Sequence, residues 1–169
     1  MEYTKVVHNI EPLFAPDSRV LILGSIPSPK SREQQFFYGH PQNRFWPVLA
    51  AVFGEDAPTT VGEKRALALR HHIAMWDTLH SCEIRGASDT SIKNPVANDL
   101  KWLIDQTAVH AVFCTGATSY KYYNRLCRAQ TGIEAVCLPS TSPANASWSK
   151  EKLVEAYRVI AEAVVEGRI

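Results

Sequence analysis

Four side chains within seven residues, Tyr38, His40, Asn43 and Arg44, supply an aromatic plane, two hydrogen-bonding groups and a phosphate-seeking cation. That combination suits the handling of a nucleobase. The stretch follows a small-residue turn, Gly24-Ser25-Ile26-Pro27-Ser28, which itself follows the apolar run Arg19-Val20-Leu21-Ile22-Leu23. A buried strand ending in such a turn is where open α/β sheets gather their chemistry. Each residue also has an ordinary reading: an aromatic packed in the core, an imidazole satisfied by hydrogen bonds, an arginine on an internal carboxylate. Asp77 and Asp89 are further carboxylates that could orient a water or pair with Arg85, although solvated loop carboxylates are commoner than catalytic ones.

The elements that must position these groups follow from periodicity. Short apolar runs, Val20 to Leu23, Ile73 to Trp76, Ala111 to Cys114 and Ala135 to Leu138, alternate with segments of helical period at 44–53, 62–71, 95–106, 117–130 and 149–166. This predicts an α/β fold, a three-layer α/β/α sandwich around a central, mainly parallel sheet of about four strands. In the last helix Ser149 is the expected N-cap, and Leu153, Tyr157, Ile160 and Val164 recur on one face. Parallel strands would bring Gly24-Ser25, Asp77-Thr78, Thr115-Gly116 and Pro139-Ser140 to one rim. The stretch 81–94 shows no clear period and reads as a loop.

Size and charge limit the alternatives. The 169 residues, 46% hydrophobic and 21% charged, fit a single domain over residues 1–169. A formal net charge of +1 excludes a strongly basic coat, so nucleic-acid binding would rest on a local patch. Lys30, Arg32, Arg44, Lys121, Arg125, Arg128 and Lys150 are its candidates. Cys82, Cys114, Cys127 and Cys137 form no CxxC pair and no metal-ligand spacing with histidine, so no metal is expected. Cys114 and Cys137 lie in strand-like runs and read as buried thiols. With no signal-like N-terminus and no apolar run of membrane-spanning length, a cytoplasmic protein without membrane attachment is expected.

The two polar stretches resemble the motifs of the uracil-DNA glycosylase superfamily, in particular its mismatch-specific uracil and thymine glycosylases. Their first motif runs Gly-x-Asn-Pro-Gly and then His-Pro-x-Asn-Arg-Phe-Trp, against Gly24 to Ser28 and His40 to Trp46 here. Leu138-Pro139-Ser140-Thr141-Ser142-Pro143-Ala144-Asn145-Ala146 resembles the second motif in altered form, and Lys150 to Arg158 the helix after it. The resemblance runs from about residue 19 to about residue 160. It implies a base-binding set of Gly24, Ser25, Ile26, Pro27 and Tyr38, with Tyr38 stacking on a flipped base. It implies DNA contacts at Ser28, Ser140, Ser142, Pro143 and Asn145.

Two departures narrow the resemblance. Ile26 stands where the mismatch-specific enzymes carry a water-positioning asparagine, and Ser140 or Thr141 where classical uracil glycosylases place a histidine. The Gly-Ser-x-Pro-Ser, Tyr-x-His-Pro-x-Asn-x-Phe-Trp and Pro-Ser-Thr-Ser-Pro-Ala-Asn patterns resemble the hypoxanthine-DNA, or deoxyinosine, glycosylase branch. That branch implies Asn43 as the catalytic residue, with His40 beside it as a second catalytic candidate. The expectation is a monomeric, monofunctional glycosylase that acts on DNA containing a deaminated base and uses no cofactor. Uracil or xanthine as the substrate, a silent DNA binder and a serine hydrolase built on Ser25 are the rival readings. The last lacks a G-x-S-x-G elbow.

Overall fold

The computed structural model describes residues 2–86 and 88–166. Its centre is a four-stranded parallel sheet formed by β2 (Val20–Gly24), β3 (Ile73–Asp77), β6 (Ala111–Thr115) and β7 (Ala135–Leu138) in the order β3-β2-β6-β7. The strands expected from the apolar runs are therefore the strands of this sheet. Residues alternate between two faces, and both faces are covered. Val20, Ile22, Ile73, Met75 and Phe113 join one apolar cluster. Leu21, Leu23, Ala74, Val112 and Cys114 join another. Burial on both sides explains why these strands read as continuous apolar runs.

The first face is covered by α2 (Phe45–Val52), α3 (Val61–Arg70) and α7 (Lys150–Glu166). Leu153, Tyr157, Ile160 and Val164 of α7 are all buried in that cluster, and the Ser149 hydroxyl caps the helix by accepting from Lys152 N at 3.2 Å. The second face is covered by α4 (Leu100–Asp105) and α5 (Ala117–Leu126). The helix read over 117–130 breaks at Cys127, where α5 ends and the short α6 (Arg128–Thr131) begins, closed by Gly132 in the left-handed region at φ 72°.

A second sheet was not legible as such. β1 (Thr4–Val7), β4 (Leu79–Ile84) and β5 (Lys93–Ala97) form an antiparallel sheet in the order β1-β4-β5, with one turn of 3-10 helix at Asp89–Ser91. The stretch read as a loop over 81–94 is thus the end of β4, the start of β5 and the connection between them. The helix read over 95–106 starts only at Leu100, with Asp99 accepting from Trp102 N, because the residues before it pair with β4. Pro95 is tolerated there because β5 is an edge strand. This sheet packs Val6, Leu79, Cys82 and Ile84 against Tyr122 of α5.

Cys137 also departs from expectation: it is exposed, on the edge strand β7, whereas Cys82, Cys114 and Cys127 are buried. Two successive residues of this edge strand, Val136 and Cys137, are left uncovered.

Candidate active site

The sheet order places a topological switch between β2 and β6, since the chain leaves β2 toward β3 on one side and later returns to β6 on the other. Ligands of open α/β sheets bind at the carboxyl ends of strands flanking such a point. A cavity of about 520 Å³ lies there, within the range of small-molecule sites.

Its base is built from strand ends. The turn after β2 is tied down by Thr78 N donating to Gly24 O at 2.8 Å and Leu79 N donating to Ser25 O at 2.9 Å. Gly24, Ser25, Ile26 and Pro27 all line the cavity, and Ile26 also packs against the cluster beneath the antiparallel sheet. Thr115, at the end of β6, donates to Leu23 O at 3.2 Å, so its oxygen is left to accept from the Tyr38 hydroxyl at 2.8 Å.

Tyr38 is held firmly. Its ring stacks on Phe45 with centroids 4.0 Å apart and planes 12° from parallel, and its backbone takes the left-handed conformation at φ 53°. A bulky residue in that region stores strain that the surrounding structure must overcome, a feature common at functional sites. Burial, reinforced by the nearby Asp77 charge, raises the phenol well above its ordinary pKa, so the hydroxyl keeps its proton. Tyr38 lines the cavity while resting on the core.

Between the turn and Tyr38 runs a short helix, α1 (Pro29–Gln34), which periodicity did not reveal. Ser28 caps it by accepting from Ser31 N at 3.2 Å, Pro29 opens it, and Gln35 ends it at φ 55°. Ser31 then accepts from Gly39 N at 2.9 Å, which returns the chain toward the cavity.

Asn43 is fixed by two donors. Its Oδ1 accepts from Phe45 N, at the start of α2, at 2.9 Å and from Thr141 Oγ1 at 2.8 Å. The backbone donor settles which amide atom is oxygen. Both lone pairs of that oxygen are then engaged. The Nδ2 group has no hydrogen-bond partner among the described residues, and Asn43 lines the cavity. His40 stands at the mouth, exposed, with Nδ1 accepting from Gln42 N at 3.1 Å.

The second motif forms the opposite wall. Tyr157 of α7 holds it by donating to Pro139 O at 2.6 Å. Ser140 accepts from Ser142 N, and Ser142 accepts from Ala144 N, so each hydroxyl keeps its own proton free. Ser28, Ser140, Ser142 and Pro143 line the cavity. Asn145 is not on its lining; its Nδ2 donates to Ser140 O at 3.0 Å and shapes the loop.

Arg44 is half-buried and contacts no carboxylate. Its guanidinium donates to the backbone oxygens of Ser142 at 3.0 Å, Asn145 at 3.1 Å and Trp148, fastening the first motif to the second. Arg128 pairs with Glu134, and Lys121 and Arg125 lie over the Tyr122 ring. Of the expected cations, Arg32 lines the cavity, while the Lys30 side chain lies outside the described residues.

Sequence reasoning passed over His8 and set Asp77 aside. Asp77 ends β3, is 5% exposed and lines the cavity, with Oδ2 bonded to His8 Nε2 at 2.7 Å. It does not pair with Arg85, which lies over the Tyr3 ring. The apolar run ending in Asp77 was a usable signal. His8 offered none, because its role depends on the pairing of β1. Among the described residues no cluster of His, Cys, Asp and Glu could hold a metal, and no helix is long and apolar enough to cross a membrane.

Comparison with known proteins bears on the family and the fold. A hypoxanthine DNA glycosylase of Methanosarcina acetivorans is 32% identical over 137 residues, covering 80% of this chain and 86% of the relative. One from Methanosarcina barkeri is 35% identical over 136 residues, covering 79% and 85%. The solution structure of a Methanosarcina acetivorans protein, provisionally assigned as a uracil DNA glycosylase, superposes with a TM-score of 0.80 at 25% identity, covering 95% of this chain and 99% of that one. The family model of the uracil DNA glycosylase superfamily matches residues 11–163, and the two motifs it brings together meet around one cavity at the sheet's switch point: the chain belongs to the uracil DNA glycosylase superfamily.

Proposed function

We propose that this protein is a DNA glycosylase that removes deaminated bases, hypoxanthine foremost, acting as a monomer without metal or organic cofactor. The observation that carries the reading is the Asn43 amide, locked through its oxygen and presenting N–H to a cavity lined by Tyr38. Two relatives named hypoxanthine DNA glycosylase over most of their length support the choice of base.

The target nucleotide must leave the stack to be reached. Tyr38 offers its ring to the flipped base, and Phe45 behind it keeps that ring in place. In the reaction the C1′–N9 bond breaks, its electron pair leaves with the purine, a water oxygen bonds to C1′, and the proton that the water gives up ends on the departing purine. Negative charge grows on the leaving base. A fixed N–H donor aimed at that charge lowers the barrier because it needs no reorganisation. Asn43 therefore contacts the leaving base, since its oxygen is already occupied and cannot also accept from water.

On the cavity wall formed by the second motif the Ser140 and Ser142 hydroxyls, each with a free proton, donate to phosphate oxygens, and Pro143 at the exposed tip faces the duplex. His40 serves the same mouth, on the sugar and phosphate side. Ser28 contributes through α1, its own proton being engaged by Ser31.

The test is single-turnover excision from matched duplexes carrying hypoxanthine, uracil or xanthine, with abasic sites revealed by alkali. Fastest release of hypoxanthine supports the reading. Fastest release of uracil moves the assignment within the superfamily, and release of none removes it.

A further inference from the structure

Hydrolysis needs a group that accepts a hydrogen bond from the attacking water, and the first motif does not supply one. Ile26 cannot accept, and the Asn43 oxygen is filled by Phe45 N and Thr141 Oγ1. The sugar of a flipped nucleotide stays joined to its strand, so C1′ and its water lie toward the cavity mouth rather than on the floor. The missing acceptor has to stand there.

Most groups on the lining fail as that acceptor. His40 Nδ1 accepts from Gln42 N, so the proton of the neutral ring is on Nε2, which is then a donor. The Ser28 hydroxyl accepts from Ser31 N and donates to Ser31 Oγ. Ser25 offers only a neutral, weakly basic hydroxyl. Asp77 is 5% exposed on the floor, with Oδ2 bonded to His8.

Asp89 has the required properties. It opens the 3-10 turn between β4 and β5, outside both motifs, and lines the cavity while remaining exposed to solvent. Ser91 fixes the turn, its hydroxyl accepting from Arg85 N at 2.9 Å and donating to Ser88 O at 2.6 Å. No Lys or Arg pairs with Asp89 among the described residues, and Arg85, near it in sequence, is held over the Tyr3 ring. Protein crowded around the carboxyl raises its pKa from the ordinary Asp value, the Thr118 hydroxyl offsetting part of the rise. A carboxylate without a cation partner keeps the basicity that proton transfer from water requires.

We infer that Asp89 is the general base of the reaction: its carboxylate orients the water at the cavity mouth and takes a proton from it as the water oxygen bonds to C1′. The C1′–N9 electron pair leaves with the purine. Asp89, now a carboxylic acid, then gives the proton to the purine anion and returns to the carboxylate. This rests on the glycosylase reading and divides its work, Asn43 serving the leaving base and Asp89 the incoming water.

The experiment measures single-turnover hypoxanthine excision by the wild-type protein, Asp89→Asn and Asp89→Ala, with melting temperature and abasic-duplex binding alongside. Both variants should lose about 100-fold in rate and keep their abasic-duplex affinity. Sodium formate, a carboxylate small enough for the space the side chain leaves, should speed Asp89→Ala at least about tenfold and leave the wild type unchanged. A merely structural role gives no such rescue.

A folded Asp89→Asn within about threefold of the wild-type rate overturns the inference. So does a loss in Asp89→Ala that formate does not restore. If one variant does not fold, the other decides. A wild-type protein that releases neither hypoxanthine, uracil nor xanthine refutes the glycosylase reading itself, whereas an active wild type with unaltered Asp89 variants refutes only the assignment of Asp89.

Discussion

Thr141 Oγ1 donates a 2.8 Å hydrogen bond to Asn43 Oδ1 across 98 positions of sequence. Thr141 is 1% exposed, so this contact between the two motifs is shielded from water. It completes the occupancy of the amide oxygen and so leaves the Nδ2 end of Asn43 for the cavity. Asn43→Ala should lower the single-turnover rate on hypoxanthine by about 10²–10³-fold while leaving abasic-duplex binding nearly unchanged, the effect expected of a lost transition-state hydrogen bond. An unaltered rate would remove Asn43 from the mechanism.

Thr141→Val probes the support of that amide. It removes the hydroxyl donor at nearly constant volume and should destabilise the fold by about 1 kcal/mol. Excision should slow about tenfold, because one of the two donors orienting Asn43 is gone. Urea denaturation alongside the rate measurement separates the two effects.

Arg44→Lys tests the clasp between the motifs. A lysine is a single point charge and cannot reproduce a planar fork that reaches three carbonyl oxygens. Unfolding free energy should drop by about 2–3 kcal/mol. The loop carrying Ser140 and Ser142 should become the segment most accelerated in amide hydrogen exchange; uniform exchange across the chain would argue against a local clasp.

Gly24→Ala adds one methyl group at a contact of 2.6 Å with Asp77 Oδ1. The carboxylate must swing away, and its bond to His8 should lengthen or break. We expect a folded protein with at least about tenfold slower hypoxanthine excision, with the displaced carboxylate visible in a crystal structure. Wild-type kinetics would show that the cavity floor tolerates the shift.

Burial pushes the Cys114 thiol up to about 12 and the Cys127 thiol up to about 11, from an ordinary 9.0. Thiolate is the reactive form, so at pH 8 both should resist a disulfide reagent in the native protein, while the exposed Cys137 reacts. A raised folded-state pKa stabilises the fold below the unfolded value and loses that contribution as pH climbs through the folded one. Stability should therefore decline between about pH 9 and 12 as unfolded thiols ionise and buried ones do not. Rapid native labelling of more than one thiol would contradict the burial described.

The parallel sheet was legible because strands covered on both faces leave continuous apolar runs, as in Val20 to Leu23. The antiparallel sheet was not, because β4 and β5 pair through register irregularities and β5 contains Pro95. Sequence placed both motifs on one rim, yet gave Arg44 an external or acidic partner when its partners are carbonyl oxygens visible only after folding. Asp77 stood at the end of a readable strand, but its meaning came from His8, 69 positions away. Asn43 was singled out by motif, and which of its amide atoms is left for the cavity required the positions of Phe45 N and Thr141.

The most direct test of the account is the rate of base release from a duplex containing a single hypoxanthine, under excess protein, beside duplexes of the same sequence containing uracil or unmodified adenine. The account predicts rapid hypoxanthine release, slower uracil release and no detectable release of adenine. Adenine release at a rate comparable to hypoxanthine, or no release of hypoxanthine by a folded protein, would contradict it.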